Sequence, residues 1–146
     1  MAWKEFAYSP YIFNFDTGEI GHEPTLAVKI HPREDFLPFS TRMLVDSGAY
    51  QTLIDAKVGR SIGILDIESG KSTTVTGVSG KVTAYEHSIK LELTELGEFM
   101  EINALFVEKM GATGLLGQKD FFAMFNILFE QPKLKFKVEK VKKLGF

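Results

Sequence analysis

Short apolar segments separated by turn residues run along the whole 146-residue chain, and this pattern most constrains its fold. Residues 26–30 and 89–93 place apolar side chains at alternate positions, which is typical of strands with one buried face. Prolines at positions 24, 32 and 38 bracket the first of these segments with breaks. The pattern predicts an all-β or mostly-β fold in a single domain spanning residues 1–146, with an N-terminal extension at 1–10 and a basic tail at 139–146.

The remaining predicted elements follow the same punctuation. Two short helices are expected at 55–64, capped by Asp55, and at 117–125, where Phe121, Phe122 and Phe125 have helical spacing. The other strands are expected at 11–15, 42–45, 73–76, 81–85, 101–107, 127–129 and 134–138. Glycine-rich residues 77–80 form the tip of the hairpin between the third and fourth of these strands.

Composition narrows the classes of function. The chain has no cysteine, which excludes disulfides, thiolate catalysis and thiolate metal sites. A net charge of -2 gives no indication of nucleic-acid binding, and no apolar stretch is long enough for a membrane span or a signal peptide. We therefore expect a cytoplasmic protein with no membrane or nucleic-acid partner.

Neither a metal nor a cofactor is expected. The three histidines have no metal-binding spacing and are interpreted as surface or structural residues; they are His22, His31 and His87. The sequence has no recognisable serine triad. Six lysines make the C-terminus basic and are interpreted as a solvated strand face and tail; they are Lys133, Lys135, Lys137, Lys140, Lys142 and Lys143.

One segment carries recognisable chemistry. A short apolar strand ending at Val45 delivers the carboxylate of Asp46, and Ser47 offers a hydroxyl beside it. Gly48 allows a tight turn and a close approach to another chain, and Ala49 follows. Taken alone, the tripeptide Asp46-Ser47-Gly48 is better explained as a plain turn after a strand, and a function for the loop at residues 46–49 depends on what else accompanies it.

The loop resembles the active-site signature of retropepsin-like, or retroviral-type, aspartic peptidases, which is Asp-Thr/Ser-Gly-Ala after apolar residues. Further matches occur in the family's order: Ile62-Gly63-Ile64, the hairpin tip Gly77-Val78-Ser79-Gly80 at the place of the substrate-covering flap, Leu115-Leu116-Gly117, and Asp120-Phe121-Phe122. The resemblance covers residues 25–138. It implies a closed or partly closed acid-protease β-barrel with one or two short helices and one lobe per chain, in which Leu115, Leu116 and Gly117 support the active-site loop.

The resemblance also implies an activity. Such enzymes are endopeptidases in which two carboxylates sharing one proton activate a water molecule. A second motif, Asp16-Thr17-Gly18, is followed by Glu19 and is interpreted as a hairpin turn. The second carboxylate is then Asp46 of another copy, so a homodimer acting on a peptide or protein substrate is implied, with Ser47 reaching the partner's loop.

Two other functions remain open from the sequence. The same barrel can hold a peptide or small ligand without cutting it, as a non-catalytic binding module. It can also serve as an assembly domain in which the Asp46 loop is only structural. Tyr50 departs from the family pattern, because many relatives have Asp, Asn or Ser there.

Overall fold

Strands dominate the described residues, 2–32, 36–78 and 80–141, of this computed structural model. The strands are β1 (Lys4–Ala7), β2 (Ser9–Asn14), β3 (Glu19–Glu23), β4 (Thr25–His31), β5 (Phe39–Val45), β6 (Leu53–Asp55), β7 (Lys71–Gly77), β8 (Gly80–Leu93), β9 (Glu98–Val107), β10 (Gly114–Leu116), β11 (Phe125–Glu130) and β12 (Lys135–Lys140). The helical elements are α1 (Ala56–Ser61), two 3₁₀ turns (Ile67–Ser69 and Gln131–Lys133) and a π-helical turn (Gln118–Phe122).

Six of the strands close into a barrel. Their order is β4-β5-β10-β6-β9-β8, and β8 pairs back with β4 to complete the ring. Strand β7 pairs only with β8 among the described strands, so the β7–β8 hairpin extends beyond the ring. The closed six-stranded barrel with few short helices confirms the predicted fold class.

Alternating side chains fill the barrel. In β4, Leu26, Val28 and Ile30 are buried while Ala27 and Lys29 are only partly covered, as the sequence alternation predicts. The largest fully buried side chains come from several elements and include Met43, Ile54, Leu91, Phe106, Leu116, Phe121 and Phe136. Burial of these apolar side chains is the main force that holds the barrel closed.

Helix α1 is where the sequence places it, although it is shorter than residues 55–64. Asp55 caps it as predicted, since its Oδ1 accepts a hydrogen bond of 2.8 Å from the Lys57 backbone N–H. The helix ends at Ser61, and Gly63 then adopts a φ of 101°, a left-handed conformation that glycine accommodates without strain. No described helix is long and apolar enough to cross a membrane.

The predicted helix at 117–125 is wrong in extent and type. Only the π-helical turn Gln118–Phe122 forms, because the N–H groups of Phe121 and Phe122 both donate to the Gly117 carbonyl. The chain then enters β11 at Phe125. The apolar spacing was still informative: Phe121 and Phe125 are buried with ring centroids 5.0 Å apart.

The N-terminal segment is more structured than the predicted extension at residues 1–10. Strand β1 pairs antiparallel with β12, and β11 flanks β12 on its other side, so these three strands form the terminal sheet. Phe6 and Tyr8 are buried against Phe136, and this burial raises the pKa of Tyr8. The residues of the short N-terminal segment alone do not indicate that it pairs with β12, which is distant in the chain.

The C-terminal lysines mostly form ion pairs at the sheet surface. Lys133 and Lys137 flank Glu130, Lys135 pairs with Glu5, and Lys140 pairs with Glu98. The predicted tail at 139–146 begins inside β12, which ends at Lys140. Residues 142–146, with Lys142 and Lys143, lie outside the described residues. The prediction of a single domain over residues 1–146 stays a prediction.

Candidate active site

Strand β5 delivers Asp46 to the end of the barrel. Leu44 and Val45 pair in parallel with Leu115 and Leu116 of β10. The Asp46 N–H continues this ladder by donating to the Leu116 carbonyl at 3.1 Å. The sheet therefore holds the Asp46 backbone in place. The residue is only half-buried, so its side chain remains accessible.

The loop after Asp46 folds back on the carboxylate. The Gly48 N–H donates to Asp46 Oδ1 at 2.9 Å, and the Ala49 N–H donates to the Asp46 carbonyl at 3.2 Å. A Cβ atom at position 48 would lie 3.2 Å from Oδ1, so a side chain there would crowd the carboxylate. Ser47 is exposed beside it. The loop therefore fixes the direction of one carboxylate oxygen.

A second layer of chain lies behind the loop. The N–H groups of Gln118 and Lys119 donate to the carbonyls of Ala49 and Tyr50 at 2.8 and 2.7 Å. The Gln118 side-chain amide donates to the Ser47 carbonyl at 2.6 Å. The π-helical turn thus provides donors for three carbonyls of the segment 47–50, those of Ser47, Ala49 and Tyr50. The structure places Leu115, Leu116 and Gly117 directly before this turn, next to the loop.

A cleft of about 700 Å³ opens between this loop and the β7–β8 hairpin. One wall includes Asp46, Gly48, Ala49 and Tyr50, and the facing wall is β7 from Thr73 to Gly77 together with Val78 after it. Apolar side chains line its interior, namely Leu53, Val75, Leu105 and Leu115. The predicted flap therefore faces the predicted active-site loop across an open cleft.

The tip of the hairpin is fully open to solvent. Val78 is completely exposed, and nothing lies within 4 Å of a Cβ built on Gly77 or Gly80. Gly80 adopts a φ of 114°, which explains why the turn takes glycine there. The fourth predicted flap residue, Ser79, lies outside the described residues.

Comparison with known families decides what this site belongs to. The family model described as "gag-polyprotein putative aspartyl protease" matches residues 39–122, which is more than half of the chain. The chain belongs to this aspartyl protease family. The match includes the Asp46 loop, the β7–β8 hairpin and the Leu115-Leu116-Gly117 segment, so the predicted retropepsin-like resemblance is confirmed.

One solved structure shows the same fold over nearly its whole length. A retropepsin-like aspartic protease from Rickettsia conorii is similar with a TM-score of 0.63 and 15% identity, covering 94% of this chain and 98% of that one. The EIAV protease complexed with the inhibitor HBY-793 has a TM-score of 0.49 and 19% identity, covering 66% of this chain and 82% of the other. A comparison with curated proteins found no match.

Behind the Asp46 loop lies a hydrogen-bonded pair that the sequence did not predict, formed by buried Thr52 and half-buried Asp120. The Thr52 hydroxyl donates to Asp120 Oδ1 and accepts a hydrogen bond from the Gly117 N–H at 3.1 Å. The Thr52 side chain is fully buried, and its carbonyl accepts from the Leu105 N–H at 2.9 Å. The sequence signals for this pair were a threonine before the apolar Leu53 and an aspartate before two phenylalanines.

The rim of the cleft also carries residues without a predicted role. The Gln51 side-chain amide donates to the Asn103 carbonyl at 2.7 Å and to Glu86 at 3.1 Å, which ties the loop to β8 and β9. Tyr50 is 68% exposed and lines the cleft. The rim therefore presents a phenol at the position where the resemblance led us to expect a short polar side chain.

A second cleft, of about 670 Å³, lies around α1 and the β9–β10 connection. Its only carboxylate among the described lining residues is Asp55. Both Asp55 oxygens accept backbone hydrogen bonds, from Lys57 at 2.8 Å and from Met110 at 3.3 Å. Because this carboxylate is committed to holding the helix terminus, the second cleft is a poor candidate for proton-transfer chemistry.

Two of the three histidines, His87 and His31, make contacts that stabilise the structure around them. His87 is buried with Nε2 2.7 Å from the Ile67 carbonyl, and His31 Nε2 lies 2.9 Å from Glu92. Within residues 2–32, 36–78 and 80–141, no three His, Asp or Glu side chains group in a way that could hold a metal ion. The motif Asp16-Thr17-Gly18 forms the predicted hairpin turn, with Gly18 at a φ of 76°.

Proposed function

We propose that this protein is an aspartic endopeptidase that works as a homodimer, with Asp46 of each subunit as the catalytic pair. The observation that carries the proposal is the half-buried Asp46 carboxylate at the floor of the cleft, facing the β7–β8 hairpin. Membership of an aspartyl protease family supports it independently.

The need for a second subunit follows from the acid–base chemistry. Among the described residues that line the cleft, Asp46 is the only carboxylate. Two carboxylates about 3 Å apart cannot both ionise easily, which is the established behaviour of aspartic-protease pairs. A two-fold axis beside Asp46 would bring the second carboxylate into place without any new residue type.

The reaction then needs only water and the pair. The ionised carboxylate takes a proton from water while the water oxygen bonds to the scissile carbonyl carbon. The protonated carboxyl gives its proton to the carbonyl oxygen, producing a tetrahedral gem-diol. When the C–N bond breaks, the amine leaves with a proton and the pair again holds one. No covalent bond to the enzyme forms.

The cleft favours an extended peptide with apolar side chains. Leu53, Val75, Leu105 and Leu115 offer apolar contacts, and burying such side chains provides affinity. The β7 backbone lies along one wall, where an extended peptide can pair with it. A hairpin that covers the bound peptide would also exclude bulk water and strengthen the interaction with the carboxylates.

The test is cleavage of an unfolded, sequence-diverse protein across pH values from roughly 3 to 7, where a carboxylate pair works. We expect wild-type protein to cleave and Asp46→Asn to lose roughly 10² to 10⁴-fold or more of the rate while keeping its fold. Asp66→Asn is the matched control, since it makes the same change at an exposed aspartate outside the cleft and should cleave like wild type.

The pH profile adds a second check. Cleavage should pass through a maximum along the pH series, because the mechanism requires one ionised and one protonated carboxyl at the same time. Full activity of Asp46→Asn would contradict the proposal. A folded wild type that binds peptides but never cleaves them would favour the non-catalytic binding module instead.

A further inference from the structure

Residues 9–23 form a hairpin that stands apart from the barrel, and we call it the arm. Its strands β2 and β3 make a separate two-stranded sheet, and among the described strands each pairs only with the other. A two-stranded hairpin is marginally stable in water unless another surface covers it. The arm therefore needs an explanation beyond its own hydrogen bonds.

The arm exposes large apolar side chains. Phe15 is 84% exposed, and the others are more than 40% exposed; they are Tyr11, Ile12, Phe13 and Ile20. Ile12 lies opposite Ile20, so they share one face of the arm, whereas Tyr11 lies on the other. Several large exposed apolar side chains on one short hairpin are more than the single scattered ones that a protein surface normally carries, and they indicate an interaction site.

The sequence builds this hairpin in detail. The Asn14 side chain accepts hydrogen bonds from the N–H groups of Asp16 and Thr17 at 2.9 and 3.2 Å, and Gly18 completes the turn. The Tyr11 ring packs over Gly21, where a Cβ atom would lie only 2.6 Å from the ring. These contacts indicate a defined element that presents its apolar side chains in fixed positions.

The root of the arm adjoins the catalytic loop. The Pro24 carbonyl, just after the arm, accepts a hydrogen bond of 2.8 Å from the N–H of Val45, the residue before Asp46. On the other strand, the Ser9 hydroxyl lies 2.6 Å from the Thr25 hydroxyl, which also accepts from Arg42 at 2.8 Å. The root of the arm is therefore hydrogen-bonded to the residue directly before Asp46.

A second copy of this chain is the occupant that fits best. A stable interface takes roughly 20–30 residues a side, far more than the four-residue loop at Asp46 supplies. Surface next to the loop has to provide the rest, and the arm is apolar surface rooted one residue away. Its six-residue strand β2 is about 20 Å long, which is enough to extend over a neighbouring subunit.

We propose that the arm clasps the partner subunit of the dimer, burying its apolar side chains on the second copy. The inference rests on the proposed homodimeric function and names the surface that holds the two Asp46 residues together. The two-fold axis makes the contact reciprocal, so each arm packs on the other subunit.

The test compares dimer dissociation constants of full-length variants by sedimentation. Replacing Phe13 and Phe15 together with serine should raise the constant about 10⁴-fold, roughly tenfold for each of the four apolar side chains that the two arms of a dimer lose. The matched control replaces Leu37 and Leu65 with serine. These side chains are 83% and 72% exposed and lie outside the arm, so the dissociation constant should stay within about threefold of the wild-type value.

Hydrogen exchange of the wild type gives an answer even if an arm variant fails to fold. The arm amides should become more protected as the protein concentration rises through the dissociation constant. An unchanged dissociation constant in the folded arm variant, arm amides whose exchange is independent of concentration, or a wild type that stays monomeric would each overturn the proposal.

The two proposals fail in different ways. Arm-dependent dimers that never cleave a peptide would refute the endopeptidase while leaving the arm as the dimer contact. Arm variants that still dimerise tightly and cleave like wild type would refute the arm and leave the endopeptidase intact.

Discussion

At the scale of single residues, Gly117 sets how closely two chain segments approach behind Asp46. A Cβ atom there would lie 2.6 Å from the Gln51 carbonyl carbon and 2.8 Å from the Thr52 backbone nitrogen. These neighbours are backbone atoms, so they cannot turn aside as a flexible side chain would. The sequence predicted Gly117 as loop support through its resemblance to a family motif, but only the structure gives the steric reason.

Gly117→Ala should therefore lower both stability and peptidase activity. We expect a loss of roughly 1–3 kcal/mol in the free energy of unfolding, because the backbone behind the loop has to move. Urea unfolding measures it. Gly77→Ala is the matched control, since nothing lies within 4 Å of its added Cβ, and it should stay within about 0.5 kcal/mol of wild type. Equal losses in the two variants would contradict the steric explanation.

Thr52→Val tests the hydrogen-bonded pair that Thr52 forms with Asp120. Valine keeps the shape of the side chain but leaves Asp120 Oδ1 and the Gly117 N–H without their Thr52 partner. The expected cost is roughly 1–3 kcal/mol in the free energy of unfolding. The control is Thr94→Val at an exposed position, for which urea unfolding should detect little change. A Thr52→Val variant as stable as wild type would show that this pair does not stabilise the chain behind the Asp46 loop.

At the scale of elements, local patterns predicted strands better than the segment after Gly117. Alternation identified β4 and the end of β8, since a strand's period of two is visible in a few residues. Helical spacing predicted a short helix over 117–125, whereas only the π-helical turn Gln118–Phe122 forms, in which the Gly117 carbonyl accepts from the N–H groups of Phe121 and Phe122. The pairing of β1 with β12 joins the two ends of the chain and has no local signature.

The terminal sheet contains a group of ion pairs whose contribution to stability depends on pH. Lys133 Nζ lies 3.2 Å from one Glu130 oxygen and Lys137 Nζ lies 3.3 Å from the other. The hydrogen-bonded Lys133, followed by Lys137, lowers the pKa of Glu130 below its ordinary value of 4.5. Stabilisation by this carboxylate is therefore present above the ordinary pKa and is lost as the pH falls through the lowered value.

Glu130→Gln should accordingly lower the thermal midpoint at pH 7 by a small amount, with the difference from wild type shrinking as the pH falls below 4.5. Thermal unfolding across a pH series measures it. Glu19→Gln in the exposed arm controls for the loss of one negative charge. A decrease of equal size in that control would argue against the ion pairs as the cause.

At the scale of the whole molecule, one chain provides half of a proposed catalytic centre. The barrel, the Asp46 loop and the facing hairpin could be anticipated from one sequence, because the motif residues occur in the order of a known family. The cleft between loop and hairpin, and the way the arm is rooted beside Val45, could not, since both depend on distances between segments far apart in the chain.

The most direct test of the central claim mixes subunits. Wild-type and Asp46→Asn chains are equilibrated at constant total concentration, and cleavage is followed as the wild-type fraction changes, with Asp66→Asn in place of Asp46→Asn as the control. If each active centre needs Asp46 from both subunits, an equal mixture retains about one quarter of the wild-type rate, following the square of the wild-type fraction. A rate of about one half would contradict the account, because each chain would then be catalysing alone.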